Sequence, residues 1–431
     1  MNKNFYFGAA TASFQIEGGV DEKAPSIWDV FSHTKGKICD GNNGDVTCDS
    51  YHKFDEDLKL LVELGVDSYR FSISWSRLLL DGLKEINEKG VSYYRYILRK
   101  LKENHITPFV TLFHWDLPQC LQEKGGFLSP DFPSWFASYT KVFLFLFGND
   151  VRNYITFNEP ENSVYRGLLL GNFAPGEKRT EAECLLAVHN ILKAHGEAYR
   201  LIKDFNADNK VGLAICGWVP VPKTEEDLSE ARKIYFSEDK RIGEGNNIYL
   251  EPIIIGDYSK EYYALFKDTH PTITEEDKEL IHTGLDFIGM NLYSGFYVHD
   301  GIKSDPIERE RMDNGWYIIN EIIYYGLKFM YEKYHLPLII TENGSCDNNE
   351  VHDKMRINNL KETFYYMEKA MKEGVDLRGY FHWSLMDNFE WAEGFTSRFG
   401  LAYVDFENDQ KRTPKDSFYS YQEIIKEKRK A

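Results

Sequence analysis

Short apolar runs alternate with longer amphipathic segments along the chain. The apolar runs are rich in β-branched and aromatic residues, which is typical of buried strands. Between several of them, apolar residues recur every three or four positions, as in helices that bury one face. The helical pattern is clearest at residues 55–64, 93–101 and 356–372. Eight apolar runs predict strands, at residues 5–13, 68–74, 107–115, 153–158, 211–216, 286–293, 336–342 and 377–384.

This alternation indicates an α/β fold with a parallel sheet. Strands that are apolar throughout and return after helices are covered on both faces. Eight such units close into a (β/α)8 TIM barrel. A doubly wound open sheet would normally carry a glycine-rich strand-to-helix turn, and the sequence has no G-x-G-x-x-G or Walker pattern. We predict a single catalytic domain over residues 1–431, with elaborated βα loops and long connections at 36–47, 224–248 and 389–400.

Composition and charge narrow the possible partners. Of the 431 residues, 42% are hydrophobic, which excludes a disordered chain. Lys and Arg number 51 and Asp and Glu 68, so the net charge is −17. A surface this acidic repels phosphate backbones, and we expect no nucleic acid partner. The longest apolar run, near residues 142–147, is too short to cross a bilayer, so we expect no membrane partner either.

Cysteine and histidine spacing does not indicate a metal site. None of the six cysteines forms a C-x-x-C pair, and the twelve histidines form no H-x-H or H-E-x-x-H pattern. We therefore expect reduced thiols, no metal and no cofactor. Residues 5–14 fit a buried first strand better than a cleaved leader, and we expect a cytoplasmic protein.

Polar residues cluster at the predicted carboxyl ends of the strands. In a barrel of this kind, those ends and the loops after them form the active-site face. Ionisable and amide side chains would be costly there if the face were only packed core, so a polar pocket is the better interpretation. The residues concerned are Arg70, Ser74, His114, Trp115, Asp116, Asn158, Glu159, Asn291, Tyr293, Glu342, Asn343, His382 and Trp383.

Two carboxylates stand out among them. Glu159 follows the fourth predicted strand and Glu342 ends the seventh, and these strands roughly face each other across an eight-stranded barrel. Hydrolysis of a glycosidic bond requires one protonated carboxylic acid and one ionised carboxylate. Either glutamate alone fits a surface position, but both follow apolar strands and are flanked by Asn. Trp383, together with Glu390 and Trp391, is the best candidate for a flat apolar face against a sugar ring.

Six motifs carry a family resemblance over essentially the whole chain. The chain resembles the family 1 glycoside hydrolases, the β-glucosidase family, and the motifs occur in the family's order. They read FGAATASFQIEG at 7–18, RFSISWSR at 70–77, TLFHWDLP at 111–118, TFNEP at 156–160, ITENG at 340–344 and WSLMDNFEW at 383–391.

The resemblance implies a retaining mechanism. Glu159 would be the acid/base and Glu342 the nucleophile, with carboxyl groups roughly 5–5.5 Å apart. Arg70 and Tyr293 would keep Glu342 ionised and in position, and Asn158 would contact the sugar 2-hydroxyl. The further sugar-binding residues that it implies are Gln15, His114, Trp115, Asn291, Tyr293, Trp383, Glu390, Trp391 and Phe399.

The family also contains a branch that acts on 6-phosphoglycosides, with an anion site after the last strand. Here that loop carries Glu390 and Glu393, which would repel a phosphate, and Phe399 stands where that branch usually has Tyr. Arg398 in the same loop leaves the alternative open.

Three segments depart from the family pattern. Glu161 replaces the usual aromatic residue after Asn-Glu-Pro, and the segment 166–168 lacks the aromatic that often follows its glycine. Both lie near the leaving-group side, so they put the aglycone preference in question rather than the chemistry. Residues 316–321 lack a proline that is common in the family.

The sequence therefore favours a retaining exo-acting β-glucosidase that hydrolyses unphosphorylated β-D-glucosides such as cellobiose, with β-galactosides as an open second class and cellulose degradation as the setting. A 6-phospho-β-glucosidase is the first alternative. A non-catalytic sugar-binding member of the fold ranks last, because both glutamates are present. The oligomeric state is not fixed by the sequence.

Overall fold

The computed structural model describes residues 5–238 and 245–430. Eight parallel strands form a closed barrel in which each strand pairs with its sequence neighbours and the last pairs with the first. The strands are β1 Tyr6–Ala10, β2 Ser68–Ser72, β3 Thr107–Phe113, β4 Asn153–Asn158, β5 Lys210–Ile215, β6 Phe287–Asn291, β7 Leu338–Asn343 and β8 Leu377–Trp383.

Long helices cover the outside of the barrel, and local sequence sets their ends. At the start of Glu181–Phe205, Thr180 and Glu183 form a capping box. At the end of Ser50–Leu64, Gly65 adopts φ +76°, a conformation that suits glycine. The long helices are Ser50–Leu64, Glu88–Glu103, Phe132–Phe147, Glu181–Phe205, Glu321–Tyr334, Lys354–Lys372 and Asp416–Lys430.

Shorter elements lie in the connections. The short α-helices are Ser13–Ile16, Ile27–Ser32, Trp75–Leu78, Gln119–Gln122, Pro160–Val164, Leu228–Tyr235, Asn247–Ile254, Lys260–Leu265 and Glu275–Ile281. Single 3-10 turns occur at Val20–Glu22, Gly126–Leu128 and Trp391–Glu393, and a π-helix at Tyr165–Leu170. Val219–Pro222, Gly295–His299 and Ile302–Ser304 form a small sheet, and Ala402–Asp405 pairs with Lys411–Pro414.

Large and small side chains fill the barrel interior together. The Phe109 ring on β3 meets the rings of Phe381 and Phe287, with centroid separations of 4.8 Å and 6.4 Å. Gly8 on β1 and Gly212 on β5 leave the room for them, since an added Cβ would lie 2.3 Å from Phe381 and 2.4 Å from Phe287. Packed rings therefore fill part of the barrel interior.

The predicted TIM barrel is confirmed, and each of the eight predicted strands overlaps one barrel strand. Several strands end earlier than predicted. β2 stops at Ser72 because the Ser74 side chain accepts from the Arg77 N–H and begins the helix Trp75–Leu78. The predicted connection 224–248 contains the helix Leu228–Tyr235, and its residues 239–244 lie outside the described residues.

The loop after β8 is tied to the rest of the barrel by Asp387. This fully buried carboxylate accepts from Lys415 Nζ and Arg398 Nη1, each at 2.8 Å, and from the Gly400 N–H at 3.0 Å. The loop also carries Glu390, so Asp387 links the C-terminal segment to one wall of the pocket described below.

No described helix combines the length and the apolar character needed to cross a membrane.

Candidate active site

A cavity of about 380 Å³ opens at the carboxyl ends of the barrel strands. This is the face on which the sequence placed its polar residues. The side chains that line it come from the ends of β3, β4, β6, β7 and β8 and from the loops after β4, β5, β6 and β8: His114, Trp115, Asn158, Glu159, Asn162, Tyr165, Arg166, Phe173, Cys216, Trp218, Asn291, Tyr293, Ser294, Asn314, Trp316, Glu342, Trp383, Glu390, Trp391, Glu393 and Phe399.

Glu159 lies in this cavity and forms no ion pair with a cation among the described residues. Its backbone is left-handed, with φ +40°, and it precedes the helix Pro160–Val164. Asn291 and Asn162 each donate a side-chain N–H to one carboxyl oxygen at 2.7 Å. Burial, followed by the charges of Glu342 and Glu161, raises the pKa of Glu159 to about 8. The carboxyl group is therefore protonated at neutral pH.

Glu342 has charged and phenolic partners instead. Arg70 Nη1 donates to Oε1 at 2.6 Å, and the Tyr293 hydroxyl donates to Oε2 at 2.8 Å. Burial raises the pKa of Glu342, but the charge of Arg70 and the hydrogen bonds from Tyr293 and Arg70 act in the opposite direction. Within the described residues, Glu342 is the glutamate of the two that has a positively charged partner to stabilise its ionised form.

Amide side chains connect the two glutamates. Asn158 Oδ1 accepts from Arg70 Nη2 at 2.6 Å and from Asn291 Nδ2 at 3.0 Å. Asn291 Oδ1 accepts in turn from the Thr341 hydroxyl at 2.6 Å, which fixes the orientation of that amide. Because every group has a defined donor or acceptor role, the carboxyl group of Glu159 and the guanidinium of Arg70 are held in one rigid network.

His114 is a neutral acceptor in this network, through its Nε2 atom. Since Asn158 Oδ1 is an acceptor, Asn158 Nδ2 donates to His114 Nε2 at 3.1 Å, and the ring proton sits on Nδ1. Burial and the charge of Arg70 hold the pKa of His114 well below its usual range. Among the described residues, His114 Nδ1 has no hydrogen-bond partner although it is buried. A hydroxyl group of a ligand would satisfy it.

Aromatic rings form the wall beside His114. Its ring lies nearly parallel to those of Trp383 and Trp391, with centroid separations of 5.9 Å and 5.8 Å. Trp115 packs against Trp391 at 4.5 Å and donates its indole N–H to the Asn158 carbonyl. Such flat faces bind the C–H side of a sugar while polar groups bind its hydroxyls.

Gln15 lies one layer deeper than the cavity wall. Its Nε2 donates to Asn388 Oδ1, to the Phe389 carbonyl and, at 3.3 Å, to Glu390 Oε2. Burial, followed by the charges of Glu393 and Glu342, raises the pKa of Glu390 well above its usual range. Gln15 Oε1 is buried and lacks a partner within the described part of the chain.

Phe399, the last predicted binding residue, packs edge-on against Tyr293 at 5.9 Å. With it, eleven of the thirteen predicted site residues line one cavity, while Gln15 and Arg70 contact that lining from behind.

The sequence left the roles of Glu161 and Arg398 open, and both side chains bond to other residues of the protein. Glu161 lies behind the wall, where its Oε1 accepts from the N–H of Cys216. Burial raises the pKa of Glu161 to about 7. Arg398 pairs with Asp387 and donates to the Val404 carbonyl, so its guanidinium serves the fold.

Several lining residues were not predicted as part of the site. They lie in the connections after β4, β5 and β6, and most of them are several residues beyond the polar strand ends that guided the sequence analysis. Cys216, which directly follows β5, was within reach of that rule, but a thiol is a weak polar signal. The unpredicted lining residues include Asn162, Tyr165, Arg166, Phe173, Cys216, Trp218, Ser294, Asn314 and Trp316.

One group of possible metal ligands is present among the described residues, at Asp227, His299 and Asp300. Asp227 Oδ2 accepts from the N–H and hydroxyl of Thr224 and bonds His299 Nδ1, while Oδ1 accepts from the Asp300 N–H. These contacts account for the cluster as a loop anchor, and its residues are not among those that line the cavity.

The geometry supports acid and nucleophile chemistry on a polar, ring-shaped ligand. One carboxyl group is protonated and the other is held next to an arginine, within a cavity that has an aromatic wall. Glycosidic bond cleavage requires this combination.

Comparisons with known proteins agree with glycosidic bond cleavage. Beta-glucosidase A of Thermotoga maritima is 41% identical over 447 residues, covering 98% of this chain and 97% of that protein. Beta-glucosidase A of Acetivibrio thermocellus is 39% identical, covering 98% of each. The solved structure of the Thermotoga maritima β-glucosidase in complex with castanospermine has a TM-score of 0.92 at 40% identity, and covers 99% of this chain and 98% of that one. The family model described as Glycosyl hydrolase family 1 matches residues 1–430, and the chain belongs to this family of glycoside hydrolases.

Proposed function

We propose that this protein is a retaining, exo-acting β-glucosidase that hydrolyses unphosphorylated β-D-glucosides such as cellobiose. The observation that carries the proposal is the unequal pair of glutamates, in which Glu342 is bonded to Arg70 and Tyr293 while Glu159 is surrounded by amides and has a pKa of about 8. The relatives named above are β-glucosidases, which supports the choice of glucosides.

In the first step, Glu342 attacks the anomeric carbon. A bond forms between a carboxylate oxygen and that carbon while the glycosidic C–O bond breaks, and Glu159 gives its proton to the departing oxygen. The products are a covalent glycosyl-enzyme and the free alcohol. Arg70 and Tyr293 stabilise the carboxylate before attack and orient it.

In the second step, Glu159 acts as a base. Having lost its proton, it takes one from a water molecule, whose oxygen attacks the anomeric carbon and releases Glu342. Two displacements at one carbon restore the β configuration. We expect the two carboxyl groups to lie roughly 5–5.5 Å apart, the separation that retaining enzymes use.

Recognition of the glucose ring is proposed for the polar atoms around the aromatic wall. His114 Nδ1 is a donor and Gln15 Oε1 an acceptor, and both are buried without a partner among the described residues. Glu390 and Trp391 would complete the contacts to the ring hydroxyls, and Trp383 would lie beneath the ring. Asn158 would bind the 2-hydroxyl, where a hydrogen bond that strengthens in the transition state speeds the reaction.

The acidic side chains of the cavity favour an unphosphorylated substrate over a 6-phosphate. Glu390 and Glu393 line the cavity, whereas Arg398 is occupied by Asp387. Comparing 4-nitrophenyl β-glucoside with its 6-phosphate tests this point. We expect kcat/KM for the free glucoside to exceed that for the phosphate by at least about 100-fold, and the opposite preference would replace the proposal with a 6-phospho-β-glucosidase.

Three broader expectations belong to the same proposal. They are a role in cellulose degradation, a cytoplasmic location, and one catalytic domain spanning residues 1–431. The six cysteines are free thiols, in keeping with a reducing compartment. The size of the barrel supports the single domain.

The direct test is hydrolysis of an aryl β-glucoside followed by proton NMR. We expect β-glucose as the first product, before mutarotation. If α-glucose forms first, the double displacement is wrong, and if no glucose is released, the function itself is wrong.

A further inference from the structure

Arg166 is a cation in the cavity wall that the proposed chemistry does not use. It lies seven residues after Glu159, in the π-helix Tyr165–Leu170, and is half-buried. Unlike Arg70, which bonds Glu342 and Asn158, it has no carboxylate within 4.0 Å in the parts of the chain that the structure describes.

The guanidinium of Arg166 is held in place by packing. Its central carbon lies 3.6 Å from the ring centroid of Phe173, a close cation–π contact. The Arg166 carbonyl accepts from the N–H groups of Asn172 and Phe173, which folds the loop back and brings that ring beneath the side chain. Because the flexible arm is already fixed, a ligand that binds it loses little side-chain entropy.

Arg166 lines the cavity near Glu159, since the charges of Glu159 and Cys216 are among those that act on the pKa of Arg166. Three other residues of the same wall are Asn162, whose Nδ2 bonds Glu159 Oε2, Cys216 and the exposed Trp218. The proton of Glu159 goes to the leaving oxygen in the proposed mechanism, so this wall faces the departing group rather than the glucose ring.

The surrounding charges leave Arg166 available for an anion. Glu159 is protonated at neutral pH, and Glu342 is paired with Arg70. Glu393 is the strongest acidic influence on Arg166, but its Oε2 accepts from Ser397, and burial still lowers the pKa of Arg166. When an aglycone displaces water from this wall, the guanidinium needs a charged partner to offset its desolvation.

We propose that Arg166 selects β-glucosides whose aglycone carries a carboxylate, which its guanidinium binds through two parallel hydrogen bonds. This inference rests on the proposed β-glucosidase function and adds the chemical class of the leaving group. A neutral hydroxyl would leave the desolvated charge of Arg166 uncompensated, so the carboxylate is the better match.

The test compares 4-carboxyphenyl β-glucoside with 4-carbamoylphenyl β-glucoside, which have similar shape and differ in charge. The measured quantity is the ratio of their kcat/KM values in wild type, Arg166→Gln and Arg166→Lys. Because each ratio contains the same difference in leaving-group reactivity, that difference cancels between enzymes. We expect the ratio to fall by about tenfold or more in Arg166→Gln, mainly through KM, and by less in Arg166→Lys, which keeps the charge but loses the planar fork.

Arg99→Gln is the charge-matched control, because it removes one positive charge from an exposed helix outside the cavity. Its ratio should equal that of wild type. Arg166→Lys serves as the test if Arg166→Gln does not fold, and its ratio should still lie below that of wild type. An Arg166→Gln ratio within twofold of wild type, or an Arg166→Lys ratio equal to that of wild type where only that variant folds, overturns the inference. Hydrolysis of the carbamoyl substrate by wild type tests the underlying glucosidase function separately.

Discussion

At the scale of single residues, Glu159 and Glu342 are the same amino acid in the same degree of burial, and their neighbours separate their chemistry. Asn291 and Asn162 donate to Glu159 but bring no charge, whereas Arg70 brings a full positive charge to Glu342. Burial therefore keeps the proton on Glu159.

This difference predicts the basic limb of the pH profile. Glu159 must be protonated to donate, so kcat/KM should decline as pH rises through its pKa of about 8. Asn162→Ala removes a donor that favours the ionised carboxylate, so the pKa should rise and the limb should move to higher pH. The pH at which kcat/KM declines is measured from initial rates with an aryl glucoside across the pH range, in wild type and in Asn162→Ala.

Asn104→Ala, at an exposed helix end, is the control and should leave the limb unchanged. A limb that moves to lower pH in Asn162→Ala would show that the group titrating there is not Glu159.

At the scale of elements, the loop after β8 depends on its buried anchor. Asp387→Ala removes the carboxylate that pairs with the buried ammonium of Lys415. We expect the free energy of unfolding to fall by about 3–5 kcal/mol. KM should rise as well, because the loop carries Glu390 and Trp391. Denaturant unfolding and steady-state kinetics measure the two effects.

The matched control is Asp376→Ala, which breaks a solvent-exposed pair with Arg378. This variant should lower the free energy of unfolding by no more than about 1 kcal/mol. Equal losses in the two variants would mean that Asp387 does not anchor the loop.

The strands and most of the site could be predicted because both follow from local rules. Apolar runs mark buried strands, and polar residues at their carboxyl ends mark the active face. Arg166 and Trp218 follow neither rule, since they enter the cavity from loops whose path depends on tertiary contacts. The contact of Arg166 with Phe173, seven residues away across a turn, has no periodic signature in the sequence.

At the scale of the whole molecule, the barrel brings side chains that are far apart in sequence into direct contact. Arg70 on β2 meets Glu342 on β7 across 272 positions. Because the interior is packed with rings, the strand ends cannot shift independently.

Phe109→Ala tests this interior packing. The ring is fully buried and contacts rings from strands on opposite sides of the barrel. We expect a loss of about 3–5 kcal/mol in the free energy of unfolding, from lost burial and the cavity that remains. Phe145→Ala is the matched control, because that ring is 83% exposed on an outer helix and should cost less than about 0.5 kcal/mol. Similar losses for both would contradict a barrel stabilised by its interior.

The most direct test of the two glutamate roles is the anomer formed when azide rescues each alanine variant. Glu342→Ala should lose at least about 10⁴-fold in activity, and azide, entering from the vacated side, should give α-glucosyl azide. Glu159→Ala should accumulate the glycosyl-enzyme from an activated aryl glucoside, and azide should then give β-glucosyl azide. Opposite anomers from the two variants, identified by NMR, are the predicted result. The same anomer from both, or the two assignments reversed, would contradict the account.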